Sequence, residues 1–191
     1  MLRDLGVVGV GAVAASLVSG RAVASAPSGT DQPTAPTSGD TALLEQALAL
    51  ELSLSELYRA TSQAGPSSEL KMVVDVVAEN HEAYAQAIAG ITGSSIIGAE
   101  PALFDANVET FTSSESGFLT AARDLENQAA ATHTSLLPDY RSTDAISATA
   151  SIIVMEARYA TVWSDFLGDS DLAAVFANDA SPVSTSTSGG A

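Results

Sequence analysis

Leu50-Glu51-Leu-Ser-Leu-Ser-Glu-Leu-Tyr58 and Leu125-Glu126-Asn-Gln-Ala-Ala-Ala-Thr-His133 stand 75 residues apart, and reading them together decides the fold. Each opens with Leu-Glu and sets a second polar side chain seven residues after the glutamate. His81-Glu-Ala-Tyr84 lies thirty residues beyond Glu51, and Glu156-Ala-Arg-Tyr159 lies thirty beyond Glu126. Apolar positions keep the same offset, pairing Leu43 with Phe118, Leu44 with Leu119, Ala47 with Ala122 and Ile88 with Trp163. A repeated helical hairpin with polar groups at equivalent depths is the plan of a four-helix bundle that holds metal in its core.

Working outward, stop signals divide the chain into four predicted helices. The first runs from near Thr41 to Gln63 and ends at Gly65-Pro66. Ser67 or Ser68 opens the second, which reaches Thr92 and stops at Gly93. The third lies between Ser114 and Leu137, before Pro138. Ser142 or Thr143 opens the fourth, which ends at Leu167-Gly168. Short connections make each pair an antiparallel hairpin, and a long connection over 93–113 joins the two pairs.

In the second helix Leu70, Val73, Val74, Val77, Ile88 and Ile91 recur at three- and four-residue steps, and His81 and Tyr84 fall within that stripe. Ile146, Thr149, Ile152, Ile153, Trp163 and Phe166 flank Glu156 and Tyr159 in the fourth. Glu126 sits among Leu119, Ala122 and Ala129, with His133 about two turns beyond it. In the first helix positions 44, 47, 51, 54 and 58 align through Glu51. An ionised glutamate in an apolar core is costly unless it is paired, protonated or bound to a cation. Several facing one another add repulsion, which a divalent metal relieves; carboxylate and imidazole suit iron or manganese. Without metal, these groups must share protons or bond to Tyr58, Tyr84, Tyr159, the histidines or water.

The ends of the chain read differently. Arg3 and the apolar stretch Leu5–Gly20, followed by Ala22-Val-Ala24 and Ala24-Ser-Ala26, form an export signal over 1–26. Residues 27–40 read as a polar linker and 41–168 as the folded domain. Residues 169–191, acidic and then rich in Ser, Thr and Gly, read as a disordered tail. An exported protein of the periplasm, cell envelope or extracellular space is expected, by either the general or the twin-arginine route, with an uncleaved anchor as the alternative.

Charge and composition exclude several functions. The net charge of −16, from 23 acidic residues against seven Lys plus Arg, repels phosphate backbones and attracts cations. With no cysteine there is neither a thiolate site nor a cysteine nucleophile. No Gly-x-Ser-x-Gly elbow and no phosphate-binding glycine loop is present.

Leu48-Ala-Leu-Glu51 through Tyr58, Leu125-Glu126 through His133, and Ala150 through Glu156-Ala-Arg-Tyr159-Ala resemble exported bacterial ferritin-like domain proteins over about residues 41–168. The resemblance implies an all-α, ferritin-like four-helix bundle of two repeated antiparallel hairpins joined by a long crossover. It also implies a glutamate on each of the first and third helices and Glu-x-x-His on each of the others. Glu51, Glu126 and Glu156 match that pattern. His81 stands where the second helix's glutamate is expected, and Tyr84 and Tyr159 stand where the two histidines are expected. The implied iron or manganese site is therefore altered, drawn from Glu51, His81, Glu126 and Glu156 with Tyr84 and Tyr159 beside them. Metal ions are the expected partners; nucleic acid and a stable membrane span after signal cleavage are not expected, and a homo-oligomer is left open. Two functions follow: an exported protein that binds or oxidises iron or manganese, or a non-enzymatic cell-envelope or stress-associated bundle that has lost the site.

Overall fold

The structure, a computed structural model, describes residues 32–183 apart from 97, 172–174 and 176. The export signal read at 1–26, the start of the linker and residues 184–191 lie outside the described residues. Five α-helices make up the fold, with no strand among the described residues: α1 (Ser38–Ala64), α2 (Ser68–Thr92), α3 (Pro101–Ser113), α4 (Glu115–Leu136) and α5 (Thr143–Leu167). A 3-10 turn, Leu137–Asp139, follows α4 at Pro138.

Local chemistry sets these boundaries. Gly65 and Gly93 end α1 and α2 with φ of 78° and 69°, a left-handed turn that a side chain would strain. Ser114 and Ser142 cap α4 and α5 by accepting from the amides of Gly117 and Ala145. Because α1 pairs chiefly with α2 and α4 chiefly with α5, the bundle is two packed pairs, crossed by contacts of α1 with α4 and α2 with α5.

Three parts of the chain differ from the sequence reading. The connection 93–113 is not plain loop, because Pro101 opens α3 and Leu103, Phe104, Val108 and Phe111 line one side of it. Phe111 is buried edge-on against Tyr58 and Phe118, and α3 lies against α1 and α4. The helix start moves back into the linker, since Thr37 and Asp40 form a capping box that begins α1 at Ser38. Pro33 and Thr34 also accept from the amides of Thr143 and Asp144, which orders the last linker residues beside α5. In the tail, Asn178 donates to the carbonyl of Asn127, Val183 donates to Thr132, and Val183 packs against the core.

Two apolar clusters fill the bundle. One contains Leu50, Leu54, Leu57, Val74, Phe111, Phe118 and Trp163; the other contains Leu44, Leu48, Ala85, Ile88, Tyr140 and Ile152. On α1, α2 and α5 the passage from one to the other falls at Glu51, His81 and Glu156. A polar layer therefore divides the core in two. Phe166, placed in the α5 stripe by periodicity, is 36 % exposed and lies against the Trp163 ring.

Candidate metal centre

The polar layer contains Glu51 from α1, His81 from α2, Glu126 and His133 from α4, and Glu156 from α5, all with no exposed surface. Removing that many ionisable groups from water costs several kcal/mol for each ion, so their partners decide whether the core tolerates them. Glu51 is the hub. Its Oε2 lies 2.7 Å from His81 Nδ1 and its Oε1 lies 2.8 Å from His133 Nε2. The other nitrogen of His81, Nε2, faces Glu126 Oε1 at 3.2 Å. Tyr58 donates to that same oxygen, and Trp163 Nε1 donates to the Tyr58 hydroxyl at 3.0 Å. The Tyr58 ring stacks on His81 with centroids 5.6 Å apart and planes 6° from parallel.

The electrostatics follow from this pairing. Burial alone would raise Glu51, but the charge of His81 and hydrogen bonds from both histidines outweigh it and hold the carboxyl at about 2. Burial would lower His81, and the opposing charges of Glu126 and Glu51 instead push it up to about 10. His133 likewise overcomes burial, through Glu156 first, and also reaches about 10. Glu156 is the group left worst served. Burial, with repulsion from Glu51 and Glu126, outweighs His133 and leaves it at about 7.

Hydrogen bonding is incomplete on one side of the layer. Glu156 Oε1 lies 3.2 Å from His133 Nε2 but is not directed for a hydrogen bond. Both Glu156 oxygens, His133 Nδ1 and Glu126 Oε2 are buried without a hydrogen-bond partner. Such groups cost free energy unless something else meets them. Glu51, His133 and Glu156 each offer a ligand atom, and these atoms lie within 4.8 Å of one another. Two carboxylates and an imidazole around partnerless donors can hold a first-row divalent metal.

The sequence-selected residues divide accordingly. Glu51 and Glu156 belong to the converging group, while His81 and Glu126 lie beside it, bonded to each other. Tyr84 and Tyr159 face each other, hydroxyl to hydroxyl, at 3.4 Å, and Asn80 donates to Tyr159 at 2.8 Å. His133, left out of the sequence-selected metal set, joins the converging group, and Tyr58, named among the partners a buried carboxylate could bond, is the one that meets Glu126. The 75-residue offset carried a signal for both, since Tyr58 and His133 occupy equivalent places. Each bonds the glutamate of the opposite pair, Tyr58 to Glu126 and His133 to Glu51.

This all-helical bundle encloses a buried carboxylate and imidazole cluster that can hold a metal ion. The family model of the ferritin-like domain matches residues 39–169, and the chain belongs to that family. No curated protein and no solved structure gives a match.

Proposed function

We propose that this is an exported ferritin-like protein that binds iron or manganese between Glu51, His133 and Glu156. The observation that carries the reading is the convergence of those three buried side chains where Glu156 and His133 Nδ1 have no hydrogen-bond partner. When bound, the metal supplies Lewis acidity and, for iron or manganese, redox cycling. The protein's own residues supply the rest. Glu51 and Glu156 provide negative charge, and His133 provides nitrogen. Tyr58 and His81 fix Glu126 beside them. At neutral pH Glu156 is poised to hold or release a proton, because its carboxyl is pushed up to about 7. The pair of buried Tyr159 and partly buried Tyr84 closes the layer between α2 and α5. The paired arrangement of α1 with α2 and α4 with α5, with 93–114 crossing between them, supports the two-hairpin topology.

One observation favours the alternative of a non-enzymatic envelope or stress-associated bundle. Glu51, His81 and Tyr58 are already satisfied without metal, so the network can serve as a purely structural layer. Metal analysis separates the two readings. Protein expressed with iron and manganese and purified without chelator should retain stoichiometric metal that Glu156→Gln loses. A folded wild type without metal under both supplies would leave the structural reading.

A further inference from the structure

We propose that His81, with both ring nitrogens committed to glutamates, fills the place of a second metal, so that this bundle holds a single ion. The inference rests on reading Glu51, His133 and Glu156 as the ligands, and it deepens that reading by fixing the number of metals.

The polar layer is lopsided in its free valences. On the His133 and Glu156 side, three buried atoms have no hydrogen-bond partner: His133 Nδ1 and both oxygens of Glu156. On the His81 side the ring has nothing to give. Nδ1 is committed to Glu51 Oε2 at 2.7 Å and Nε2 faces Glu126 Oε1 at 3.2 Å. An imidazole whose two nitrogens both meet carboxylate oxygens has neither left to turn to a metal.

The ring is also held by its surroundings. Its face lies on Tyr58, and the rings of Tyr84 and Tyr159 stand 6.2 Å and 5.6 Å away. Turning a nitrogen toward a metal would break a hydrogen bond and disrupt the stack. Glu126 is bound up in the same unit, because its Oε1 meets both the Tyr58 hydroxyl and His81, which leaves only Oε2 free. Tyr84 and Tyr159 do not compensate, being bonded to each other and to Asn80. A second ion would therefore find one unengaged oxygen and a ring with both nitrogens already taken where its ligands should be. His81 instead bridges Glu51 and Glu126 where that ion would sit between them.

Titration of the full chain with manganous ion, read by elemental analysis and electron paramagnetic resonance, tests this. The expected result is one ion per chain with the spectrum of an isolated ion. His81→Glu removes the bridging ring and adds a carboxylate, so the count should rise toward two, with a spin-coupled spectrum. Two coupled ions in the wild type would overturn the inference while leaving the metal-site reading intact. So would a folded His81→Glu protein that still binds only one. No ion in the wild type would overturn both. The wild-type count is decisive even where the variant fails to fold.

Discussion

Glu156 is the residue whose environment most needs a cation. It is fully buried, both oxygens lack hydrogen bonds, and its carboxyl is pushed up to about 7 first by burial and then by the charges of Glu51 and Glu126 against the pull of His133. Glu156→Gln should leave the fold intact and weaken manganous-ion binding at least tenfold by calorimetry, whereas unchanged affinity would remove Glu156 from the site. Binding should also release protons at pH 7, since Glu156 sits near 7 and His133 near 10. Titrations in buffers of different ionisation enthalpy count those protons, and a count of zero would contradict the ligand assignment. Tyr58→Phe should cost about 1–3 kcal/mol in chemical denaturation, because it strips a donor from buried Glu126 and an acceptor from Trp163 Nε1. At this scale the sequence was only partly legible. Periodicity and the 75-residue offset picked out Glu51, Glu126 and Glu156, because a lone acid in an apolar stripe is visible without a structure. They did not show that His81 turns both nitrogens to carboxylates while His133 keeps one free, since that depends on how neighbouring rings pack.

Between elements, Asp40 carries a disproportionate share of the order. It is almost fully buried at the start of α1, accepts from the amide and hydroxyl of Thr37, and also accepts from the amides of Arg141 and Ser142 ahead of α5. Burial would raise its carboxyl, yet the backbone donors of Thr37 and Arg141 outweigh that and hold it below the ordinary 3.8. Asp40→Ala leaves those amides unanswered where two helices begin, and about 1.5–3 kcal/mol should be lost in denaturant unfolding. A loss under 0.5 kcal/mol would mean water replaces the carboxylate at no cost. The helix ends were the most legible part of the chain. Gly65-Pro66, Gly93, Pro138 and Gly168 mark their stops through backbone chemistry that operates locally. Asp40 was read as linker because its purpose lies 101 residues away at Arg141. The helix at 101–113 was missed for a similar reason. Its thirteen residues bury only Phe111, and its stability comes from packing over α1 and α4 rather than from a strong stripe of its own.

For the molecule as a whole, the pH dependence of stability reports how the layer is balanced without metal. His81 and His133, raised from 6.5 to about 10, contribute stability that is complete below 6.5 and lost as pH climbs through 10. Glu51, lowered from 4.5 to about 2, contributes stability that is complete above 4.5 and lost as pH falls toward 2. Glu156, raised from 4.5 to about 7, becomes unfavourable as it ionises across that interval. The melting temperature of metal-free protein should therefore be highest near pH 4.5, where Glu51 is ionised and Glu156 still protonated, and should fall as pH rises from there. A maximum above pH 8 would show that the histidines are not held by the glutamates. No helix among the described residues is long and apolar enough to cross a membrane. The overall fold was legible because amphipathic spacing over four long segments is a global signal, whereas the division of the polar layer into a ligand group and a histidine-held group is not. The most direct test of that division is anomalous diffraction from crystals of the full chain grown with manganous ion. The account predicts one anomalous peak per chain, bounded by Glu51, His133 and Glu156, with His81 still between Glu51 and Glu126. A peak bound to His81 and Glu126, or no peak in the bundle core, would contradict it.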